Sequence, residues 1–217
     1  LKIELTNFCN LSCPICPHPQ MRREVGYMAP ELFRKIIDEA APTLEFAYLH
    51  HLGESLFHGR IGELVRYGRA AGAAMGLSTN ATFLTRRKAE ALLEAGLDFL
   101  VISLDAATGE AYARQRVGGD FETTLGNVQG FFELRDRLRA ATAAVLQIVV
   151  TDDNRGDVEA FARRWRGRGE RVMIKEARDW AGQVPLRIAG RRDAPPAPPA
   201  APAPPAAQEP CRMPWTE

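Results

Sequence analysis

Three of the four cysteines in this 217-residue chain stand within eight positions, as Cys9-Asn10-Leu11-Ser12-Cys13-Pro14-Ile15-Cys16. Thiolates are soft ligands, and three on one short loop can reach one soft centre: zinc, copper(I) or an iron–sulfur cluster. A closed structural zinc site needs four ligands, so a fourth would have to come from His18 or from far along the chain. A four-iron cluster takes the three thiolates and leaves one iron open to a further ligand. The spacing favours the cluster, because zinc sites usually pair cysteines two to four residues apart.

The elements that must position this loop follow from hydrophobic periodicity. Short β-branched or apolar runs at 2–6, 44–50, 74–79, 98–104, 143–150 and 171–176 predict strands. Helical patterns lie between them at 30–41, 60–71, 85–95, 123–140 and 154–167. Thr85 before one pattern and Gly96 after it read as a helix start and stop. Alternating strands and helices predict an α/β fold with a parallel sheet and right-handed crossovers. Six such units suit an open, partial (β/α)6 barrel better than the closed eight-unit form, which needs about 250 residues. The cysteine loop follows the first predicted strand, the carboxyl end at which parallel α/β folds place their sites.

With the cysteine triplet on that loop, the chain resembles the radical S-adenosylmethionine (radical SAM) superfamily. His51-Leu52-Gly53-Glu54-Ser55 ends the second predicted strand, where that family carries a Gly-Gly-Glu-Pro segment. Ser78-Thr79-Asn80-Ala81 ends the third and Ser103-Leu104-Asp105 the fourth. Gln147 lies in the fifth and Lys175 in the sixth. Trp180-Ala181-Gly182-Gln183, then Cys211 and Pro214-Trp215, look like the run into a SPASM domain, the auxiliary-cluster extension of one branch. Three features depart from the pattern: Ile15 replaces the usual aromatic before the third cysteine, Leu52 and Ser55 replace a glycine and the proline, and Cys211 is alone.

The resemblance implies an enzyme with a [4Fe–4S] cluster on Cys9, Cys13 and Cys16 and S-adenosylmethionine on its open iron. One electron into the sulfonium would break a carbon–sulfur bond and release a 5′-deoxyadenosyl radical, which takes hydrogen from a small molecule (sugar or aminocyclitol) or a peptide. Glu54, beside Gly53, is expected to accept the cofactor's ammonium by a charge-assisted hydrogen bond, and Arg116 to fork onto its carboxylate. Thr79, Asn80 and Ser103 offer neutral donors and acceptors, and Gln147 a ribose contact. His50 and His51 are adjacent in a strand, so they point to opposite faces and cannot both serve the site. An external flavodoxin- or ferredoxin-like electron donor is implied. Two alternatives stand beside this reading: a non-enzymatic zinc or iron–sulfur module, and a degenerate relative that keeps the cluster without the chemistry.

Composition narrows the classes further. Lys plus Arg (28) against Asp plus Glu (27) leaves a net charge of +1, which gives no support to charge-driven nucleic-acid binding. No apolar run is long enough to span a membrane, and four cysteines are too few for a disulfide scaffold. Free thiolates and the lack of a basic-then-apolar leader predict a reducing, cytoplasmic setting. Residues 1–183 are expected to form the core domain and 184–207 a linker, since 194–207 holds only alanine and seven prolines and favours extended polyproline geometry. Residues 208–217 would then begin a truncated auxiliary region, the chain being a fragment cut at both ends.

Overall fold

A computed structural model describes residues 1–169, 171–180 and 182–184 of the chain. Five strands run parallel in the spatial order β1-β2-β3-β4-β5: Phe46–Tyr48, Ala74–Thr79, Phe99–Ser103, Ala143–Val150 and Arg171–Glu176. The helices between them are α1 (Pro30–Ala40), α2 (Ile61–Ala70), α3 (Arg86–Glu94), α4 (Gly109–Gln115), α5 (Phe121–Leu138) and α6 (Val158–Trp165). This is the open α/β barrel segment expected from the sequence, with two differences. The run at 2–6 forms no strand: it joins β1 through one parallel bridge, Lys2 to Tyr48, and then leaves to make the cysteine loop. A further helix, α4, precedes the pattern at 123–140 and is not among the expected elements, its seven residues being too few to show a period; Thr108 caps it by accepting from the Ala111 N–H.

The main core lies between the sheet and its helices. Ala47 and Leu49, Met75 and Leu77, Leu100 and Ile102, and Leu146 and Ile148 face it, packed on Phe33, Leu64, Leu92, Phe131 and Phe161. Strand side chains alternate, so the intervening residues line the other, concave face. Strand register sets them in rows, since paired residues of a parallel sheet share a face. Lys2, Tyr48, Gly76, Phe99 and Ala143 form one row; Ser78, Val101, Val145 and Arg171 form the next. Ser103, Gln147 and Met173 form a third, nearest the strands' carboxyl ends. Gly76 makes room in its row for the Phe46 ring, whose tip a Cβ there would meet at 2.7 Å. Beyond Val184, the linker and the auxiliary region with Cys211, Pro214 and Trp215 lie outside the described residues, as does Ala181.

Candidate active site

The cysteine loop is held from below by the turn after β1. A Cβ on Gly53 would lie 2.1 Å from the Thr6 carbonyl oxygen and 2.8 Å from the Asn7 Cα, so the two backbones meet at a distance only glycine permits. The Glu54 N–H donates to the Phe8 carbonyl at 2.7 Å, locking that contact one residue before Cys9. The same turn buries the Glu54 side chain beneath the loop.

Glu54 is met by neutral donors. Its Oε1 accepts from the Leu56 N–H (3.1 Å) and the Thr79 hydroxyl (2.9 Å), and its Oε2 from the Asn80 N–H (2.7 Å). Burial pushes its carboxyl up, while the Asn80, Leu56 and Thr79 donors and the Arg116 charge pull it back. A carboxylate has about four acceptor positions. Three are filled from within the chain, which leaves one on Oε2.

Asn80 ties the end of β2 to the loop. Its Nδ2 donates to the Asn10 Oδ1 at 3.1 Å and reaches the Cys9 sulfur at 3.8 Å, while its Oδ1 accepts from the Thr82 N–H and hydroxyl. Thr79 passes its proton to Glu54 and accepts from the Ala81 N–H. Both side chains therefore work within this network, holding Glu54 and Cys9 in register.

On the other side, the end of β3 and the exit of α4 converge on Cys13. The Arg116 Nη1 reaches the Cys13 sulfur at 3.7 Å, and Nη2 donates to the Ser103 hydroxyl and pairs with Asp105 at 2.7 Å. The Ser103 hydroxyl also accepts from Gln147 across the β3–β4 register at 2.9 Å. Burial disfavours the Arg116 charge, but Asp105 and Cys13 outweigh it and keep the guanidinium protonated. Burial likewise raises the Asp105 carboxyl against the opposing pull of Arg116 and the Val149 N–H. One buried atom here is left without a partner, the Arg116 Nε, while the Asp105 Oδ2 is met by its ion pair with Nη2 alone. Asp105 is the residue whose part the sequence did not reveal. Its φ of 61° turns the carboxylate back under Arg116, and only that left-handed backbone signals it.

The thiols are free. Burial, reinforced by Glu54, pushes Cys9 up to about 11, and burial also raises Cys16, so a bound cationic centre would have to displace their protons. Among the described residues no three His, Cys, Asp or Glu side chains stand close enough to share one ion. A closed zinc module would bring its thiolates to about 2.3 Å from a common metal. His18 is also engaged, its Nε2 lying 2.8 Å from the Asn7 carbonyl. A cubane fits the donor set better, since each thiolate takes a different iron, and N–H groups already aim at two of the sulfurs.

Comparison with known proteins agrees with this geometry. The family model of the radical SAM superfamily matches residues 3–164. The chain is 38% identical over 180 residues to the tungsten-containing aldehyde ferredoxin oxidoreductase cofactor-modifying protein of Pyrococcus furiosus, covering 80% of this chain and 50% of that one. It is 30% identical over 161 residues to the mycofactocin maturase MftC of Mycobacterium ulcerans, covering 73% of this chain and 42% of that one. Among solved structures, Streptococcus suis SuiB, seen with its precursor peptide SuiA and with S-adenosylmethionine, superposes with a TM-score of 0.70 at 14% identity. That superposition covers 86% of this chain and 41 to 42% of SuiB, and it shows the shared fold. The chain thus spans half or less of the length of these relatives. With the family model covering the cysteine loop, the first four strands and their strand-end groups alike, this chain belongs to the radical SAM superfamily.

Proposed function

We propose that the chain is the core of an enzyme that reductively cleaves S-adenosylmethionine at a [4Fe–4S] cluster held by Cys9, Cys13 and Cys16, and that its substrate is a peptide or a small molecule. The observation that carries this reading is the convergence of two buried charged groups, Glu54 and Arg116, on one three-cysteine loop. When bound, the cluster supplies the electron that opens the cofactor's carbon–sulfur bond. The chain's own residues bind, orient and exclude. Glu54 holds its last acceptor position for the cofactor's ammonium, and Arg116 its unpartnered Nε for the carboxylate. Thr79 and Asn80 keep Glu54 fixed, Ser103 and Asp105 keep Arg116 fixed, and Gln147 faces the ribose from the same row as Ser103. Tyr48, Val101 and Val145 lie on the concave face and would help to exclude water from the reacting atoms. The relatives named as maturases and the peptide complex of SuiB support a peptide, and an external one-electron donor completes the cycle.

The test is anaerobic reconstitution with iron and sulfide, reduction by dithionite, and assay of 5′-deoxyadenosine. Product that disappears in Cys13→Ala supports the reading. Iron uptake without cleavage would favour the degenerate relative, and zinc uptake alone the structural module.

A further inference from the structure

The pairing of β1 with β2 runs one step past the strand, the Leu49 N–H donating to the Gly76 carbonyl at 2.7 Å. His50 therefore stands on the concave face level with Ser78, and Glu4, two residues after Lys2, reaches the same level on the neighbouring segment. Val101, Val145 and Arg171 complete that layer across the sheet. It lies one layer beneath Ser103 and Gln147, the row assigned above to the cofactor's ribose. The cysteine loop is tied down over the strand ends above that row. A molecule that meets a radical formed at the ribose thus rests on the lower layer.

His50 is the group in this layer that its neighbours leave unsatisfied. Its Nδ1 is buried without a partner. Such an atom costs about 1–3 kcal/mol, a cost that a bound molecule meeting it removes. Glu4, by contrast, is engaged on both oxygens, accepting from the Leu52 N–H at 3.0 Å and pairing with Arg23 at 2.8 Å. The Tyr48 ring packs edge-on against the imidazole, centroids 5.9 Å apart, and fixes its plane.

Charge decides what kind of molecule this is. Lys2, His51 and Arg116 set positive charge towards the imidazole, against Glu4 alone. Arg23 offsets Glu4, and Asp105 offsets Arg116. The sign is left to the Lys2 ammonium, which has no carboxylate partner among the described residues. A carboxylate placed there gains both that charge and an imidazole N–H.

We propose that His50 and Lys2 form a carboxylate-binding subsite for the substrate, which is an acid: a peptide carrying a glutamate or aspartate side chain, or a small carboxylic acid. The inference rests on the reading of the cysteine loop as a radical-generating centre, and it adds what the reacting molecule carries. His50 binds and orients; the hydrogen transfer itself does not pass through it. Burial and the surrounding cations hold the free imidazole neutral, with a pKa of about 4. A bound carboxylate supplies the missing negative charge, so its arrival draws a proton onto His50.

The test uses the reconstituted chain with S-adenosylmethionine present, so that Arg116 is occupied, and three probes: end-blocked Gly-Gly-Glu-Gly-Gly, its glutamine counterpart, and glutarate. Calorimetry at pH 6, in two buffers of different ionisation enthalpy, reads affinity and proton uptake together. The expected result is that the glutamate peptide or glutarate binds at least tenfold more tightly than the glutamine peptide, with net proton uptake. The tighter of the two acids names the source of the carboxylate. His50→Phe should cut that preference below twofold. His50→Gln, which keeps a hydrogen-bond donor but cannot titrate, should keep most of the affinity and lose the uptake. Lys2 is exposed, so Lys2→Met keeps the fold, and it should weaken acid binding and flatten its salt dependence. Equal affinity for the glutamate and glutamine peptides overturns the proposal, as does proton uptake that survives in His50→Gln. 5′-deoxyadenosine formation without any preference for the acids leaves the enzyme standing and removes the subsite. Acid binding that responds to His50, in a chain that cleaves no S-adenosylmethionine, keeps the subsite and rejects the enzymatic reading.

Discussion

The site has two buried charges of opposite sign, and they are held in different ways. Glu54 sits among neutral donors, with each oxygen engaged and no orphaned atom beside it. Arg116 sits between a carboxylate and a sulfur, pairs through Nη2 with the Asp105 Oδ2, and leaves its Nε without a partner. Both arrangements answer the cost of burying charge, but by different physics. Dipoles fix Glu54 in one geometry whatever its neighbours' charges do, whereas Arg116 depends on two groups that can themselves change protonation. The Glu54 side is therefore a rigid anchor, and the Arg116 side a balance that responds to what binds at Cys13.

The comparison breaks most severely at Arg116. Arg116→Ala strands Asp105 in the interior, and removing one member of a buried pair costs about 3–5 kcal/mol. The melting temperature should fall by roughly 10 °C or more at 2–4 °C per kcal/mol. The loss should shrink as pH falls and Asp105 takes up a proton, and Arg116→Ala/Asp105→Asn should recover much of it. An unresponsive double variant would show that the pair is not the cause.

On the other side the largest effect belongs to backbone. Gly53→Ala must push the Thr6 carbonyl from 2.1 Å, so the turn and the cysteine loop part company. Overpacking of this kind costs about 3 kcal/mol, and S-adenosylmethionine affinity, read by calorimetry, should be lost with it. Glu54→Gln is milder: an amide that meets the Asn80 N–H with its own N–H leaves a buried donor unpaired, at about 1–3 kcal/mol. Tenfold weaker cofactor binding is expected from the missing charge; unchanged affinity would remove Glu54 from its proposed role.

Most of this architecture was legible. Strands β2, β4 and β5 match their predicted limits; β2 and β4 are largely buried parallel strands, and β5 is a mostly exposed strand that pairs with β4. Thr85 and Gly96 bound α3 as expected, the former accepting from the Lys88 N–H and the latter at φ 77°. The failures share one cause: a local pattern cannot show a partner. Residues 2–6 carry a strand's alternation but pair only through single bridges at their two ends, Lys2 to Tyr48 of β1 and Thr6 to Tyr27. Arg116 and Gly53 could be named from their types, yet the first is shaped by Asp105 through a left-handed turn and the second by the Thr6 carbonyl. Thr79 and Asn80 could be placed at a strand end, while their engagement with Glu54 and Cys9 depends on contacts 25 and 71 residues away in sequence.

A third titratable group allows the contrast to be read through pH. His50 follows β1 on the concave face, its Nδ1 buried without a partner. Burial, with the charges of Lys2, His51 and Arg116, presses its pKa down to about 4 against the opposing pull of Glu4. The unfolded chain takes up a proton near pH 6.5 and the folded one only near 4, so stability falls as pH drops across that window. The slope is at most about 1.4 kcal/mol per pH unit. A melting series from pH 7 to 4.5 should show it, and His50→Phe should flatten it without changing stability at pH 7.5 by more than about 1 kcal/mol. An equal slope in the variant would show that His50 is not the source of the acid sensitivity.

The smallest effect is expected where the Arg116 side reaches the open concave face. Gln147 is half-buried and gives one hydrogen bond, to a Ser103 hydroxyl that already accepts from Arg116. Gln147→Ala removes a donor from an oxygen that keeps its other partner, so nothing is left orphaned, and the cost should be under about 1 kcal/mol. Its consequence for binding depends on which side of the site is flexible. If Ser103 relaxes toward Asp105, which it now meets at 3.5 Å, Arg116 is held less firmly and cofactor affinity falls two- to threefold with no change in melting temperature. If Arg116 is held by Asp105 and Cys13 alone, affinity is unchanged. Titration of the variant with S-adenosylmethionine therefore measures how far the balance around Arg116 depends on neutral support, the kind that alone fixes Glu54.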